Sequence, residues 1–330
     1  MAISVNQIHI QNFKSLRDLS LDNCRRINLL IGRPNVGKSN ILEALSLFSI
    51  PYLYRADRES LKDLVRAEHA AELFFDGNTG SLIKIEMGFN NTITIERTAF
   101  EGIAVDIEQV SKGLVEGYEF SNNLKMKDTS GQLGAETDIL SYRYDVTTQH
   151  QSFGESFLFP PFGVNLMETI KQLPELKAEI NRIMESYALK IVYDSASQEL
   201  KAMKTQSDDI FLIPFTSLAD SVQRLIFNKA AILSNQEKVI CLEEPETHVF
   251  PPYIASVVQE IINSKDNQFF ISTHSPYVAN ALMESAHHEL AIYFINLVNG
   301  ETVSRHATDE EVQEMYDHGV DMFFNMETYM

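Results

Sequence analysis

Basic residues are scarce in this chain. Against 46 Asp and Glu stand 27 Lys and Arg, a formal net charge of −19 over 330 residues. Such a surface repels a phosphate backbone, which argues against a broad nucleic-acid platform and leaves DNA contact to a local basic groove or a basic partner. Cysteine is nearly missing. Cys24 and Cys241 lie far apart in apolar sequence, so neither a disulfide framework nor a zinc cluster is expected, and a reducing compartment suits them. No apolar run approaches the roughly eighteen residues of a membrane span. The opening MAISVNQIHIQNFKSL lacks the basic-then-apolar order of a secretory leader. A soluble, cytoplasmic protein is expected. There is no internal repeat, and there are no sustained heptads, which excludes a long coiled-coil arm.

What is present is alternating helix and strand. Val5 to Phe13 reads as a strand and Arg26 to Ile31 as a more buried one. Asn40 to Phe48 has helical spacing. Leu82 to Met87 and Thr92 to Arg97 alternate and are joined through Phe89-Asn-Asn91, the pattern of a hairpin. Residues 120–138 are polar and rich in Gly, Ser and Thr, and read as a mobile loop. After the rigid Phe159-Pro-Pro-Phe162 the chain turns helical, with Pro174 opening a helix whose face is Leu176, Ile180, Ile183 and Tyr187. A helix from about Ser217 to Ser234 follows, then the strand Lys238 to Leu242, a helix from Pro252 to Asn263 and the strand Gln268 to Ser272. Buried strands alternating with helices form parallel units. The tail reads as a strand from Leu290 to Leu297, a turn at Asn299-Gly300, a return strand, and a helix capped by Thr308 and Glu311. The fold class is therefore α/β: a mixed sheet with antiparallel hairpins and a helical lobe over 160–235, inserted in one domain spanning 1–330.

The strongest motif lies between the second strand and the first helix. Gly32-Arg33-Pro34-Asn35-Val36-Gly37-Lys38-Ser39 fits GxxxxGK[ST], a phosphate loop, with Asn40 continuing into the helix. Its glycines let successive N–H groups converge on phosphate, and the helix points its positive end at the same anion. Lys38 reaches the β and γ oxygens of a nucleotide, and Ser39 ligates Mg²⁺. A chance Gly/Pro/Asn loop lacks the flanking strand and helix.

Two further strand ends carry chemistry. Val239-Ile-Cys-Leu-Glu243-Glu244-Pro delivers adjacent carboxylates that can point different ways. Glu243 is placed to hold Mg²⁺ and Glu244 to polarise the water that attacks the γ-phosphate. An acidic strand end is common on so acidic a chain, but beside a phosphate loop the pair reads as catalytic. Phe270-Ile-Ser-Thr-His274 ends a third strand, and His274 is placed to hydrogen-bond the γ-phosphate or the attacking water. His287-His288 reads as a solvated loop, since no second ligand pair has metal spacing.

Together IGRPNVGKSN, ICLEEPETHVFPP and FFISTHSPYV, with the opening IHIQNFKSLRDLSL, resemble the ABC-type ATPase heads of the RecF/SMC/OLD group. The resemblance implies a P-loop NTPase that binds and hydrolyses ATP with Mg²⁺ and forms a homodimer with two ATP molecules sandwiched between heads. A signature element should then open the helix before the Glu-Glu strand. Asp220, Ser221, Gln223 and Arg224 occupy that place, though Ser221 stands for the usual Gly and Ala219 for the usual Ser. Gln149 and Gln151 are weak candidates for the lid glutamine. The 56 residues after His274 are too few for the nuclease domain of OLD enzymes, so the resemblance implies control of a separately encoded effector, such as a nuclease, in phage defence or DNA maintenance. Three other readings compete: a nucleotide switch that scarcely hydrolyses; a direct DNA-repair role of the RecF kind, against the charge argument; and a GTPase, since GRPNVGKS also resembles the loop of Era/Der GTPases. For the last, Asp128-Thr-Ser-Gly131 and Asn228-Lys-Ala-Ala231 do not complete DxxG and NKxD in the right context.

Overall fold

The computed structural model describes residues 5–329 except 57, 89–90, 111–112, 132–135, 149–150, 152–153, 195–196, 198, 207–208 and 320–321. The chain divides into two compact units. One comprises Met1–Ser141, Glu237–Glu244 and Lys265–Met330; the other comprises Tyr142–Gln236 and Pro245–Ser264.

In the first unit, β1 (Gln7–Phe13) and β2 (Leu16–Asp22) form a hairpin. Its tight turn sets Asn12 and Lys14 at φ 59 and 49, the left-handed region that short polar turns tolerate. β3 (Ile27–Ile31) is buried throughout and leads to α1 (Lys38–Ser46), followed by the short α2 (Ile50–Arg55). A meander comes next: β4 (Ile83–Met87), β5 (Asn91–Arg97), β6 (Ile103–Gln109), β7 (Leu114–Phe120) and β8 (Met126–Gly131). With the first hairpin it makes an antiparallel seven-stranded sheet in the order β2-β1-β4-β5-β6-β7-β8. β4 and β6 alternate buried and more exposed residues, the pattern of a sheet covered on one face.

The region expected as a mobile loop, 120–138, contains β8, paired with β7 in a register that sets Tyr118 opposite Thr129. A polar edge strand carries no apolar alternation, so its pattern is invisible to periodicity. Residues 132–135 of that expectation lie outside the described ones, as does most of the expected turn at Phe89-Asn-Asn91.

The second sheet of this unit draws on β9 (Ile139–Tyr142), β13 (Val239–Glu243), β14 (Gln268–Ser272), β15 (Leu290–Val298) and β16 (Glu301–His306), the numbers 10–12 falling in the other unit. Its order is β16-β15-β3-β14-β13-β9. β13, β14, β3 and β15 run parallel, and β16 returns antiparallel. The parallel strands are the unbroken apolar runs that such sheets require. α1 packs against β1, β13 and β14, so one core joins Ile8, Ile10, Leu45, Phe48, Ile85, Cys241 and Phe270. α7 (Pro276–Ala286) and α8 (Asp309–Asp317) complete the unit, and α8 carries the expected capping box of Thr308 and Glu311.

The second unit holds α3 (Leu166–Gln172), α4 (Pro174–Glu185), β10 (Lys190–Asp194), β11 (Glu199–Gln206), β12 (Asp209–Pro214), α5 (Asp220–Leu233) and α6 (Pro251–Asn263). It reaches beyond the expected lobe of 160–235, and β10–β12 form a three-stranded antiparallel sheet inside what reads as helical sequence. α4 buries Leu176, Ile180 and Met184, whereas Tyr187 lies past the helix end and is about half exposed (51%). The expected face Leu176-Ile180-Ile183-Tyr187 therefore gives way at its C-terminal end. In the interior of this unit Lys229 of α5 pairs with Glu179 of α4 and, at 2.9 Å, with Glu260 of α6.

Candidate nucleotide site

The phosphate loop is held from outside itself. Gly37 has φ 103, and a Cβ placed there would come 2.1 Å from Thr302 Oγ1. A Cβ on Gly32 would come 2.3 Å from the Ile295 carbonyl oxygen. β15 and β16 thus press on the loop closely enough that both glycines are obligatory, a constraint beyond the turn itself. The Thr302 hydroxyl donates to the Val36 carbonyl (2.9 Å) and meets Ser15 Oγ at 2.6 Å, while the Asn40 amide donates to Ser15 Oγ at 2.7 Å. α1 begins without a side-chain cap and with no acid in its first turn. Its leading N–H groups have no intrahelical acceptors and lie at the positive end of the helix.

Lys38 is 5% exposed. Its ammonium donates to the Gly32 and Arg33 carbonyls, both at 2.8 Å. Burial pushes its pKa down to about 8, against the opposing pull of Glu244 and Glu243. Glu244 lines one cavity with the lysine, although more than two hundred residues separate them in sequence. Glu244 has φ 43 and its N–H donates to the Ser272 carbonyl (3.0 Å). The strand therefore turns sharply between the two acids, and their side chains part. His274 Nε2 stands 3.4 Å from Glu244 Oε1, each side chain 35% exposed.

One cavity of about 390 Å³ collects Pro34, Asn35, Gly37, Lys38, Ser39, Asn40, Glu244 and His274, with Lys14, Glu43 and Arg66. Of the expected loop residues, Gly32 and Val36 are buried beneath it, and Arg33 turns outward to Glu327 at 2.6 Å. Glu43 and Arg66 carry no motif, whereas Lys14 belongs to the opening IHIQNFKSLRDLSL. Glu43 of α1 is 5% exposed, takes an ion pair from Lys14, and accepts from the Arg66 backbone N–H at 3.2 Å. A lone acid on the buried face of an apolar helix was its one visible signal. Arg66 forks onto Glu243, Nη1 to Oε1 at 2.8 Å and Nη2 to Oε2, and nothing local to residue 66 announces it.

Among the described residues no group of three or more acidic, His or Cys side chains forms a closed metal cage. Mg²⁺ needs none, because one or two protein oxygens plus substrate phosphates suffice. The donor set fits a hard cation: the Ser39 hydroxyl and the Glu243 carboxylate, with Glu43 Oε1 buried and without a hydrogen bond.

The signature residues belong to the other unit. Asp220 pairs with Arg224 (2.8 Å), and Ser221 Oγ accepts from the Phe250 N–H (2.6 Å). Gln223 corrects the expectation. It is 3% exposed, and its amide is spent on the Thr216 and Leu218 carbonyls and on the Tyr144 hydroxyl. Its helical position turns its side chain into its own unit. Of the two weak lid candidates, Gln151 is exposed and Gln149 lies outside the described residues.

The family model for an AAA ATPase domain matches residues 3–207, and one for an AAA domain, putative AbiEii toxin, Type IV TA system, matches residues 162–280. An uncharacterized protein of Methanocaldococcus jannaschii is 50% identical over 44 residues, 13% of this chain and 20% of that protein. An ATP/GTP phosphatase of Helicobacter pylori is 19% identical over 316 residues, covering 82% of this chain and 85% of that protein. The chain thus matches a fifth of the first relative and most of the second. Among solved structures, an SMC head bound to the C-terminal winged-helix domain of ScpA covers 94% of this chain and 99% of its own, with TM-score 0.55 and 13% identity. An Smc head with an extended coiled coil, bound to the C-terminal domain of ScpA derived from Pyrococcus furiosus, covers 95% and 98% with TM-score 0.50 and 13% identity. With more than half of its length in that family model, the chain belongs to the AAA ATPase domain family and is an ATPase built on the fold of an ABC-type SMC head.

Proposed function

We propose that the cavity lined by the phosphate loop binds ATP with Mg²⁺, and that hydrolysis there opens and closes a homodimer in which each head covers the other's nucleotide. The observation that carries this is the convergence of Lys38, Ser39, Glu244 and His274 in one cavity, from three separate stretches of chain. Lys38 supplies a desolvated positive charge to the β and γ oxygens, where low dielectric strengthens it. Ser39 and Glu243 hold Mg²⁺, which when bound neutralises charge developing on the transferred phosphoryl group. Glu244 accepts a proton from the attacking water, and His274, 3.4 Å away, orients that carboxylate and hydrogen-bonds the γ-phosphate.

The coupling to a separately made effector rests on analogy. Both similar SMC heads are bound to a domain of ScpA, and this head acts on a partner protein in the same sense. The toxin–antitoxin description attached to residues 162–280 supports a setting in defence, with DNA maintenance as the other. The net charge of −19 disfavours direct nucleic-acid binding. No described helix is long and apolar enough to cross a membrane.

A slow-hydrolysing nucleotide switch is the second reading, and the inward turn of Gln223 favours it. The Era/Der form of the GTPase reading lacks its base-reading motif. Asn228 donates to the Pro245 carbonyl and Lys229 is committed to two glutamates, so neither can read a base, while Asp128 sits on the edge strand β8.

The test is the solution mass of Glu244→Gln with ATP·Mg²⁺ and with ADP·Mg²⁺. Dimer with ATP and monomer with ADP is the expected result. A monomer under both conditions sinks the sandwich and leaves the switch.

A further inference from the structure

The site contains one acid, Glu43, and one arginine, Arg66, that the proposed chemistry does not use. Both oxygens of Glu243 are taken by the Arg66 guanidinium, with Nη1 at 2.8 Å from Oε1. The same Nη1 lies 3.5 Å from Glu43 Oε1, an oxygen that is buried and has no hydrogen bond. We propose that Arg66 is a latch displaced by the metal: it rests on Glu243 until Mg²⁺ arrives with nucleotide, then transfers to Glu43. This deepens the ATP·Mg²⁺ reading above and rests on it.

Three features support the exchange. A carboxylate forked on both oxygens cannot turn to a dication while the guanidinium stays, because the two cations would repel across a few ångströms. The second seat is near: Nη1 lies 3.5 Å from Glu43 Oε1, so a guanidinium turned off Glu243 has an adjacent acceptor. The backbone need not move, since the Arg66 N–H is already tied to Glu43 Oε2 (3.2 Å) and its carbonyl to Lys14 Nζ (3.0 Å). The Arg66 side chain is half exposed (52%) and the Glu43 side chain 6%, so the arginine has freedom and its second partner does not. Lys14 balances part of the Glu43 charge throughout. Arg66 is thus a positioning residue for the metal ligand, and it makes metal binding depend on an exchange of ion pairs.

The experiment titrates ATP calorimetrically into the full chain carrying Glu244→Gln, at a series of Mg²⁺ concentrations, and reads the Mg²⁺ level at half-maximal tightening. Adding Arg66→Gln should lower that level three- to tenfold, the equilibrium equivalent of removing one partly exposed competing pair, about 1 kcal/mol. Arg66→Lys, which cannot fork, should lower it by less. Glu43→Gln should raise it about threefold, because the arginine loses its second seat. A merely structural Arg66 would change melting temperature and leave the metal requirement in place. If Arg66→Gln leaves the Mg²⁺ level unchanged or raises it while ATP still binds, the latch is overturned and the nucleotide reading stands. If no ATP binds at any Mg²⁺ concentration, the nucleotide reading itself fails. Should the buried Glu43→Gln not fold, the two arginine variants decide the matter.

Discussion

The two units treat their polar side chains in opposite ways. Where β3, β13 and β14 end, Lys38, Glu244 and His274 line one cavity. In the second unit two polar groups of α5 are turned to its own interior: Gln223 bonds two carbonyls and a tyrosine, and Lys229 lies between Glu179 and Glu260. The difference follows from strand and helix ends. Parallel strands stop together at a sheet edge, so side chains just beyond them converge without packing neighbours. A helix flanked by others buries a wide stripe, and any polar residue on that stripe must find partners inside. The first unit is therefore built to bind a charged ligand, and the second spends its polar groups on rigidity.

The largest effect should come from Glu244→Gln, which removes the proton acceptor. ATP turnover should fall about 10²- to 10⁴-fold with binding retained, as read by phosphate release beside calorimetry. Equal loss of binding and turnover would mean that Glu244 holds the nucleotide. Next, Lys229→Ala should destabilise the chain by about 3 kcal/mol by leaving two glutamates without their cation. Thermal unfolding measures this, and ATP affinity should not change. A drop in affinity would erase the contrast between the units. Gln223→Ala should cost roughly 2 kcal/mol of stability by stranding its partners, with turnover altered less than twofold. A loss of turnover at unchanged stability would restore Gln223 as a signature residue. Smallest is Thr302→Val, which cuts the bond to the Val36 carbonyl. About 1 kcal/mol of stability is expected to go, together with a few-fold weaker ATP binding as the loop slackens.

Much of the site was legible because its parts are local. The eight residues from Gly32 to Ser39 carry the strand exit, the turn and the helix start in one stretch. The pair at Glu243 and Glu244 and the His274 group likewise announce themselves at the ends of apolar runs. Errors fell where pattern is weak. The polar edge strand β8 read as loop, the sheet β10–β12 lay hidden in a helical stretch, and α4 ended before Tyr187 could join its face. Charge alone could not show that Arg66 spans 177 positions to fork Glu243, because no spacing rule links a loop residue to a distant strand end.

Composition and motif together pointed to the class of enzyme and nominated its phosphate-handling residues, since backbone turning, helix polarity and ligand type depend on neighbours in the chain. Folding alone decided which charges meet. Thr302 clamps Gly37, Glu43 gathers Lys14 and Arg66, and Gln223 turns inward, each through contacts whose register is set by how sheets and helices pack and not by distance along the sequence.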